Sequence, residues 1–363
     1  MSSKLYSTFT LGDLQLSNRM VMAPMTRNRT AKGEVLTALN VEYYRQRATA
    51  GLIITEASQI SAEGVGYPAT PGIHTQEQVA AWSKVTEAVH AEGGHIFIQL
   101  WYCGRISHPN LLPNEQTPVA PSAISPKGDA ITYTGKQPYV KPRALLADEI
   151  PGIVAQYRQA AEQAKLAGFD GIEVHAANGY LIDQFLRDSS NQRSDKYGGN
   201  AENRMRFLNE VLDAVSEVWP TNRIGIRLTP ENGYNSMSDS DALNHFSYFI
   251  SQLNKRELAY LHILEGDMVK QQKSVDYQVL RNLYQGVYMA NQGYSKDSAE
   301  QAIADNNSDL IAFGVPFLAN PDLVLRFKTG TTLNTPDQDT FYGGDEHGYT
   351  DYPFLNEQEI KTA

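Results

Sequence analysis

The sequence predicts a single (β/α)8 barrel, and three observations lead there. Short apolar runs alternate with longer amphipathic stretches eight times between residues 19 and 328. Several of the short runs, such as LIITE at 52–56 and DLIAF at 309–313, are apolar at successive positions. That is the composition of strands covered on both faces. No linker, charge block or low-complexity stretch cuts the 363 residues into two units, and a barrel of this kind runs beyond about 250 residues as one domain.

Residues 5–16 read as an N-terminal β-hairpin around Gly12 and Asp13. The barrel units then follow as strand and helix in turn: 19–23 and 39–50, 52–56 and 76–92, 95–100 and 149–167, 170–174 and 201–218. The second half reads 223–228 and 239–255, 259–264 and 275–284, 286–290 and 296–304, 309–313 and 321–328. An excursion after the third strand, 102–147, is rich in Pro, Gly, Ser and Asn. It is too long for an ordinary connection and reads as a functional loop subdomain. The tail 334–363 reads as irregular structure lying on the barrel, so 1–363 is expected to form one domain.

The bulk numbers exclude several function classes. Thirty-one basic against 41 acidic residues give a net charge of −10, so nothing draws the chain generally toward nucleic acid or an anionic membrane. The single cysteine, Cys103, rules out an internal disulfide framework, a four-cysteine zinc site and a four-cysteine iron–sulfur cluster. It reads as a packed thiol. The N-terminus lacks the apolar run of a secretory signal, and no stretch approaches the ~18 apolar residues of a membrane span. A cytoplasmic protein with no obligate protein partner is the expectation.

In such a barrel the chemistry sits at the C-terminal ends of the strands. Those ends carry Ala23-Pro24-Met25-Thr26, Glu56-Ala57, Gln99-Leu100-Trp101, His175 to Tyr180, Arg227, Glu265-Gly266, Asn291-Gln292-Gly293 and Gly314. No lysine stands among them for Schiff-base chemistry, and no HExxH-like pair for a metal. Amide, guanidinium, imidazole and phenol remain, which suit a planar hydrogen-bonding heterocycle and a substrate carbonyl. Gly293 and Gly314, each before a helix start, would let backbone amides approach a phosphate. His175 and Asn178 are spaced to point the same way from a turn entering a helix, so both can polarise one carbonyl. Tyr180 can supply a proton.

These residues resemble the Old Yellow Enzyme family. The likeness runs from near residue 5 to near residue 354, through APMTR (23–27), EASQIS (56–61), GYPATPGI (66–73), IQLWYCGRISHP (98–109), IGIRLTP (224–230) and FYGGDEHGYTDYP (341–353). Its most specific stretch is GFDGIEVHAANGYLIDQFLRDSSNQRSDKYGGNAENR at 168–204. Within the family the chain looks most like the bacterial pentaerythritol tetranitrate and N-ethylmaleimide reductases.

The resemblance implies non-covalent FMN over the barrel mouth, reduced by NADPH or NADH. Thr26 would bond a flavin carbonyl. Gln99 and Arg227 would bind the pyrimidine side, and Pro24, Met25 and Ala57 would lie against the ring. Gly293 and Gly314, with the neighbouring amides of Gln292 and Val315, would hold the phosphate. His175 and Asn178 would anchor an activated alkene's electron-withdrawing group, hydride would reach its β-carbon, and Tyr180 would protonate the α-carbon. Tyr67, Trp101 and Tyr349 would shape the pocket. No metal is implied.

Two positions depart from the family pattern. The anchoring pair is His and Asn where many bacterial relatives carry His and His. Val315 stands where relatives usually show an arginine assisting the phosphate. A dienoyl-CoA-type flavin reductase needs a cysteine-held cluster that one cysteine excludes. A barrel isomerase or aldolase on a phosphorylated molecule would need Glu56 or Glu265 as its acid, and a ligand-binding protein without turnover is a third reading.

Overall fold

A computed structural model describes residues 3–356. After the hairpin β1 (Phe9–Leu11) and β2 (Leu14–Leu16) come β3 (Met20–Met22), α1 (Ala38–Arg45), β4 (Leu52–Gln59), α2 (Gln76–Ala91) and β5 (Ile96–Trp101). The excursion holds β6 (Val119–Ala120), β7 (Asp129–Thr132), β8 (Gly135–Pro138) and β9 (Arg143–Ala144). Then follow α3 (Ile150–Leu166), β10 (Gly171–Ala176), α4 (Leu181–Leu186), α5 (Ala201–Ser216), β11 (Ile224–Leu228), α6 (Ala242–Leu253) and β12 (Tyr260–Leu264). The chain finishes its units with α7 (Tyr277–Leu283), β13 (Tyr288–Asn291), α8 (Lys296–Ala304), β14 (Leu310–Phe313), α9 (Val315–Ala319) and α10 (Leu323–Thr329).

Strands β3, β4, β5 and β10 to β14 close into one barrel, every adjacent pair parallel. The expected (β/α)8 fold is therefore present. α2 starts on a reciprocal cap: Thr75 Oγ1 accepts from Gln78 N at 3.2 Å, and Gln78 Oε1 accepts from Thr75 N at 3.1 Å. Such a cap is worth about 1 kcal/mol.

The barrel interior is layered. Its floor is apolar, with Val21, Leu52, Phe97, Tyr260, Met289 and Leu310 packed in one cluster. Leu11, Leu14 and Leu16 of the hairpin join that cluster and plug the N-terminal end. Above the floor the inward positions turn polar: Gln99, Glu173, Arg227, His262 and Asn291, all buried. The larger apolar cluster lies between strands and helices.

Residues 102–147 are not a loose loop. β7 and β8 form an antiparallel hairpin, and β6 pairs with β9. Tyr133 Oη accepts from Ala69 N at 3.2 Å, and Arg105 donates to Ile124 O, Asn235 O and Ser236 O. These bonds hold the excursion across the loops at the mouth.

The C-terminal tail is irregular through residue 356, and 357–363 lie outside the described residues. Backbone carbonyls of the tail are bound by arginines from the barrel side. Arg27 donates to Phe341 O at 2.9 Å and Gly348 O at 2.8 Å, Arg29 to Asp345 O at 3.0 Å, and Arg47 to Tyr349 O at 3.3 Å.

Candidate active site

His175 lies inside β10, not past it. The strand runs two residues beyond the expected 174 because its inward positions, Glu173 and His175, are polar while the outward ones stay apolar. A reading that ends strands where polar residues begin stops too early here. The extension puts His175 beside Arg227 of β11 in register and aims both inward.

Four rings converge there. Trp101 stands 6.3 Å from His175 and 4.8 Å from Tyr180, edge to face with the latter. His175 and Tyr180 are 5.1 Å apart, and Tyr67 lies 5.8 Å from Trp101. Tyr180 Oη donates to Tyr67 Oη at 3.3 Å. Ala57 and Trp101 pack in the same cluster as Tyr180 and Tyr67. The excursion adds Tyr139 to this cluster, a contribution that the sequence offered only as one tyrosine among 20.

The electrostatics fix the protonation states. Burial, with the Arg227 and His262 charges nearby, holds the His175 imidazole well below its ordinary pKa. It is neutral, and its Nδ1 is buried without a partner. Burial pushes the Tyr180 phenol well above its ordinary value, while its hydrogen bond with Tyr67 works the other way. Asn178 adopts a left-handed backbone, φ 56°, which asparagine tolerates better than most residues. Its Oδ1 accepts from Asn232 Nδ2 at 3.0 Å, so its Nδ2 is the end left to donate.

Beneath these groups runs a buried polar network. Gln99 Nε2 donates to Glu173 Oε1 at 2.6 Å, and His262 Nδ1 meets Glu173 Oε2 at 2.9 Å. Arg227 Nη2 donates to Asn291 Oδ1 at 2.8 Å, while Arg227 Nε has no partner. His262 of β12 is thus a member of this network. Glu173 and Asn291 stood within the matching stretch and at a strand end, but neither was given a role.

A flavin fits above this polar layer. Arg227 Nε, His175 Nδ1 and Trp101 Nε1 are buried donors or acceptors with no protein partner, and such groups call for a ligand or water. A Cβ on Gly293 would meet nothing within 4 Å, and one on Gly314 would meet only Met25 at 3.5 Å or more. The backbone there is open to close approach. Pro24, Met25 and Thr26 are half-buried on the segment after β3. Gln292 has φ 94°, a conformation that glycine adopts more cheaply. Val315 is 42% exposed and brings no charge.

Tyr349 does not shape the pocket. Its ring is fully buried, stacked on Tyr43 at 4.1 Å with Arg27 and Arg29 above it. The exposed ring of the same segment is Tyr342, which feels the Tyr234 phenol. The Tyr67 and Tyr180 phenols in turn feel Tyr234. Tyr342 and Tyr234 are therefore the mouth residues that the sequence reading missed.

The acids of an isomerase are committed elsewhere. Glu56, pushed up to about 7 by burial, accepts from Arg27 N and Tyr44 Oη. Glu265 is bound by Lys273 Nζ, Tyr288 Oη and Tyr294 Oη, each at 3.0 Å. Cys103 is buried and its thiol pKa raised by burial, as a packed thiol should be. No helix among the described residues is long and apolar enough to cross a membrane.

Comparison with known proteins matches this geometry. Residues 4–334 fit the NADH:flavin oxidoreductase / NADH oxidase family. A probable flavin mononucleotide-dependent alkene reductase of Leishmania infantum is 45% identical over 350 residues, covering 95% of this chain and 96% of that protein. The structure of morphinone reductase in complex with tetrahydroNAD superposes with a TM-score of 0.93 at 48% identity, covering 98% of each chain. An old yellow enzyme homologue from Zymomonas mobilis gives a TM-score of 0.94 at 42% identity, covering 97% of this chain and 100% of that one. With this barrel, this mouth and these relatives, the chain belongs to the NADH:flavin oxidoreductase / NADH oxidase family, the oxidoreductases of Old Yellow Enzyme type.

Proposed function

We propose that the chain is an FMN-dependent ene-reductase acting on activated alkenes: α,β-unsaturated ketones and aldehydes, maleimides and nitroalkenes. The observation that carries this reading is the convergence of His175, Tyr180, Tyr67 and Trp101 over a buried polar barrel layer. The alkene reductase from Leishmania infantum and the morphinone reductase complex support the same cofactor and reductant class. On this reading residues 3–356 act as one FMN-binding domain.

Thr26, Gln99 and Arg227 would hold the polar edge of the isoalloxazine, and Pro24, Met25 and Ala57 its face. The backbone around Gln292, Gly293, Gly314 and Val315 would take the phosphate. Bound there, FMN supplies a two-electron carrier between a reduced nicotinamide and the alkene. The protein does the rest. His175 and Asn178 donate to the substrate's electron-withdrawing oxygen, which draws charge from the β-carbon and stabilises the enolate-like transition state. Tyr180 holds a proton at its Oη for the α-carbon. Trp101 and Tyr67 hold the substrate flat and exclude water.

The direct test is colour. The purified or FMN-loaded protein should be yellow, should bleach anaerobically with NADH or NADPH, and should recover with cyclohexenone, a maleimide or a nitroalkene. A protein that takes up no FMN, or that bleaches and never recovers with any of the three, sinks the reading.

Two expectations follow. Val315 offers the phosphate no charge-assisted hydrogen bond, worth ~1.5–3 kcal/mol, so Val315→Arg should tighten FMN about 10- to 100-fold. Flavin occupancy after extensive dialysis measures it, and equal retention discards the idea. Substrate anchoring should also be flat with pH. His175 is depressed below its ordinary 6.5 and Tyr180 raised above its ordinary 10.0, so neither changes charge between those values. Asn178 has no charge to change. A change in enone KM beyond about twofold across that range, which is well under 1 kcal/mol, contradicts these states.

A further inference from the structure

We infer that Asn232 is a positioning residue that sets which end of the Asn178 side-chain amide faces the substrate. The inference rests on the reading above, in which Asn178 anchors an electron-withdrawing oxygen.

A side-chain amide has a donating end and an accepting end of nearly equal size. Turning one over by half a rotation costs little sterically, because the terminal torsion is broad. For a carbonyl or nitro oxygen the two ends are opposites. Nδ2 attracts it, whereas Oδ1 repels it. An asparagine anchor therefore needs something to hold its orientation, since its shape alone does not.

The orientation is imposed in steps from backbone groups that cannot turn over. Tyr234 N, in the loop after β11, and Met268 N, in the loop after β12, both donate to Asn232 Oδ1 at 3.3 Å. That fixes the accepting end of Asn232, whose side chain is buried. Its Nδ2 is left to donate to Asn178 Oδ1 at 3.0 Å. Asn178 Oδ1 is thereby occupied, and its Nδ2 is the end left to donate to a substrate oxygen. The Asn178 backbone is held independently: its N donates to Thr229 Oγ1 at 2.8 Å, and its O accepts from Asn235 Nδ2 at 2.8 Å. Rotation of the side-chain amide is the freedom that remains, and Asn232 removes it. Loops after three consecutive strands, β10, β11 and β12, so converge on the polarity of one amide.

The test uses the FMN-loaded protein and cyclohexanone, an unreactive saturated ketone, with affinity read from the flavin absorbance. Asn232→Asp keeps the shape and both backbone bonds but places an oxygen against Asn178 Oδ1. Asn178 then turns over and presents Oδ1 to the ketone. The dissociation constant should rise about 10- to 100-fold, as for a lost bond that leaves opposed acceptors. Asn232→Ala releases the lock without reversing it, and the rise should be only about 2- to 5-fold, the statistical cost of two orientations plus lost packing. FMN content should stay at the wild-type value in both. In an Asn178→Ala background the Asn232→Asp change should fall to less than about twofold, because the group it acts through is gone.

Unchanged ketone affinity in Asn232→Asp overturns the inference. So does an equal loss in the Asn178→Ala background, which would mark a general structural role. If Asn232→Asp does not fold, Asn232→Ala in the two backgrounds decides by the same comparison. Wild-type protein that binds FMN but neither cyclohexanone nor an enone overturns the functional reading itself, and that failure is visible before any variant is made.

Discussion

Tyr180→Phe is expected to slow reoxidation of the reduced protein by cyclohexenone about 10²- to 10⁴-fold and to change its reduction by nicotinamide only a few-fold. The substitution isolates the proton. Tyr180 meets Trp101 edge to face at 4.8 Å and His175 at 5.1 Å, contacts that a phenylalanine ring keeps. Hydride delivery to the flavin needs no acid from the protein, whereas saturating the alkene does. The raised Tyr180 pKa keeps the proton in place at working pH, but it also makes the phenolate left behind costly. Tyr67 offsets part of that cost. Its hydroxyl lies 3.3 Å away and can turn to donate to the phenolate, a bond that works to lower the Tyr180 pKa and to raise that of Tyr67. The pair is thus split into a donor and a supporter. Stopped-flow measurement of the two half-reactions decides the matter: equal slowing of both would remove Tyr180 from the proton-donor role.

The sequence carried the barrel because its strands are read by apolarity, and these are apolar on both faces. It carried the ends of those strands less well, for a physical reason. β4 continues past the expected Glu56 to Gln59, and β10 past the expected Val174 to Ala176, through Ser58, Gln59 and His175, all polar and all buried. The place where a barrel strand turns polar is the place where it begins to serve the site, so the boundary error and the function have one cause. The 39–50 helix was overread in the opposite direction. It ends at Arg45, and the following residues turn so that the Arg47 guanidinium, fully buried, can donate to Phe317 O and Leu318 O.

The proposed trio of His175, Asn178 and Tyr180 could be picked out from spacing, since all three lie within six residues of one strand end. Asn232 was not. In PENG it reads as a turn residue, and only the return of three loops to one point shows what its amide does. Gln99 and Arg227 were expected to face a flavin from the family likeness. The likeness is silent on Glu173, which ties Gln99 to His262, and on Asn291, which takes one arm of Arg227.

The segment FYGGDEHGYTDYP shows the limit of motif reading most clearly, and a pair of substitutions separates its two tyrosines. Tyr349→Ala should cost about 3–5 kcal/mol of stability, the range for truncating a large buried ring. The ring is fully buried, parallel to Tyr43 within 8° at 4.1 Å, and capped by Arg29 at 4.6 Å and Arg27 at 4.9 Å. Its hydroxyl accepts from Asn40 Nδ2 at 3.0 Å. Removing it takes the partner from Asn40 Nδ2 and loosens the carbonyls that Arg27, Arg29 and Arg47 hold. The melting midpoint should drop about 4–7 °C, since an unfolding entropy of ~2.1 cal/mol/K per residue over 363 residues corresponds to ~1.3 °C per kcal/mol. Tyr342→Ala removes an exposed ring and should move stability by less than about 0.5 kcal/mol, while raising the KM for bulky enones at the mouth. A Tyr349→Ala protein that melts like the wild type but loses enone affinity would return Tyr349 to the pocket and reverse this assignment. The physical distinction is simple: a tyrosine that three arginines and a partner ring hold out of water anchors the tail, and its neighbour seven residues earlier is left free to meet a ligand.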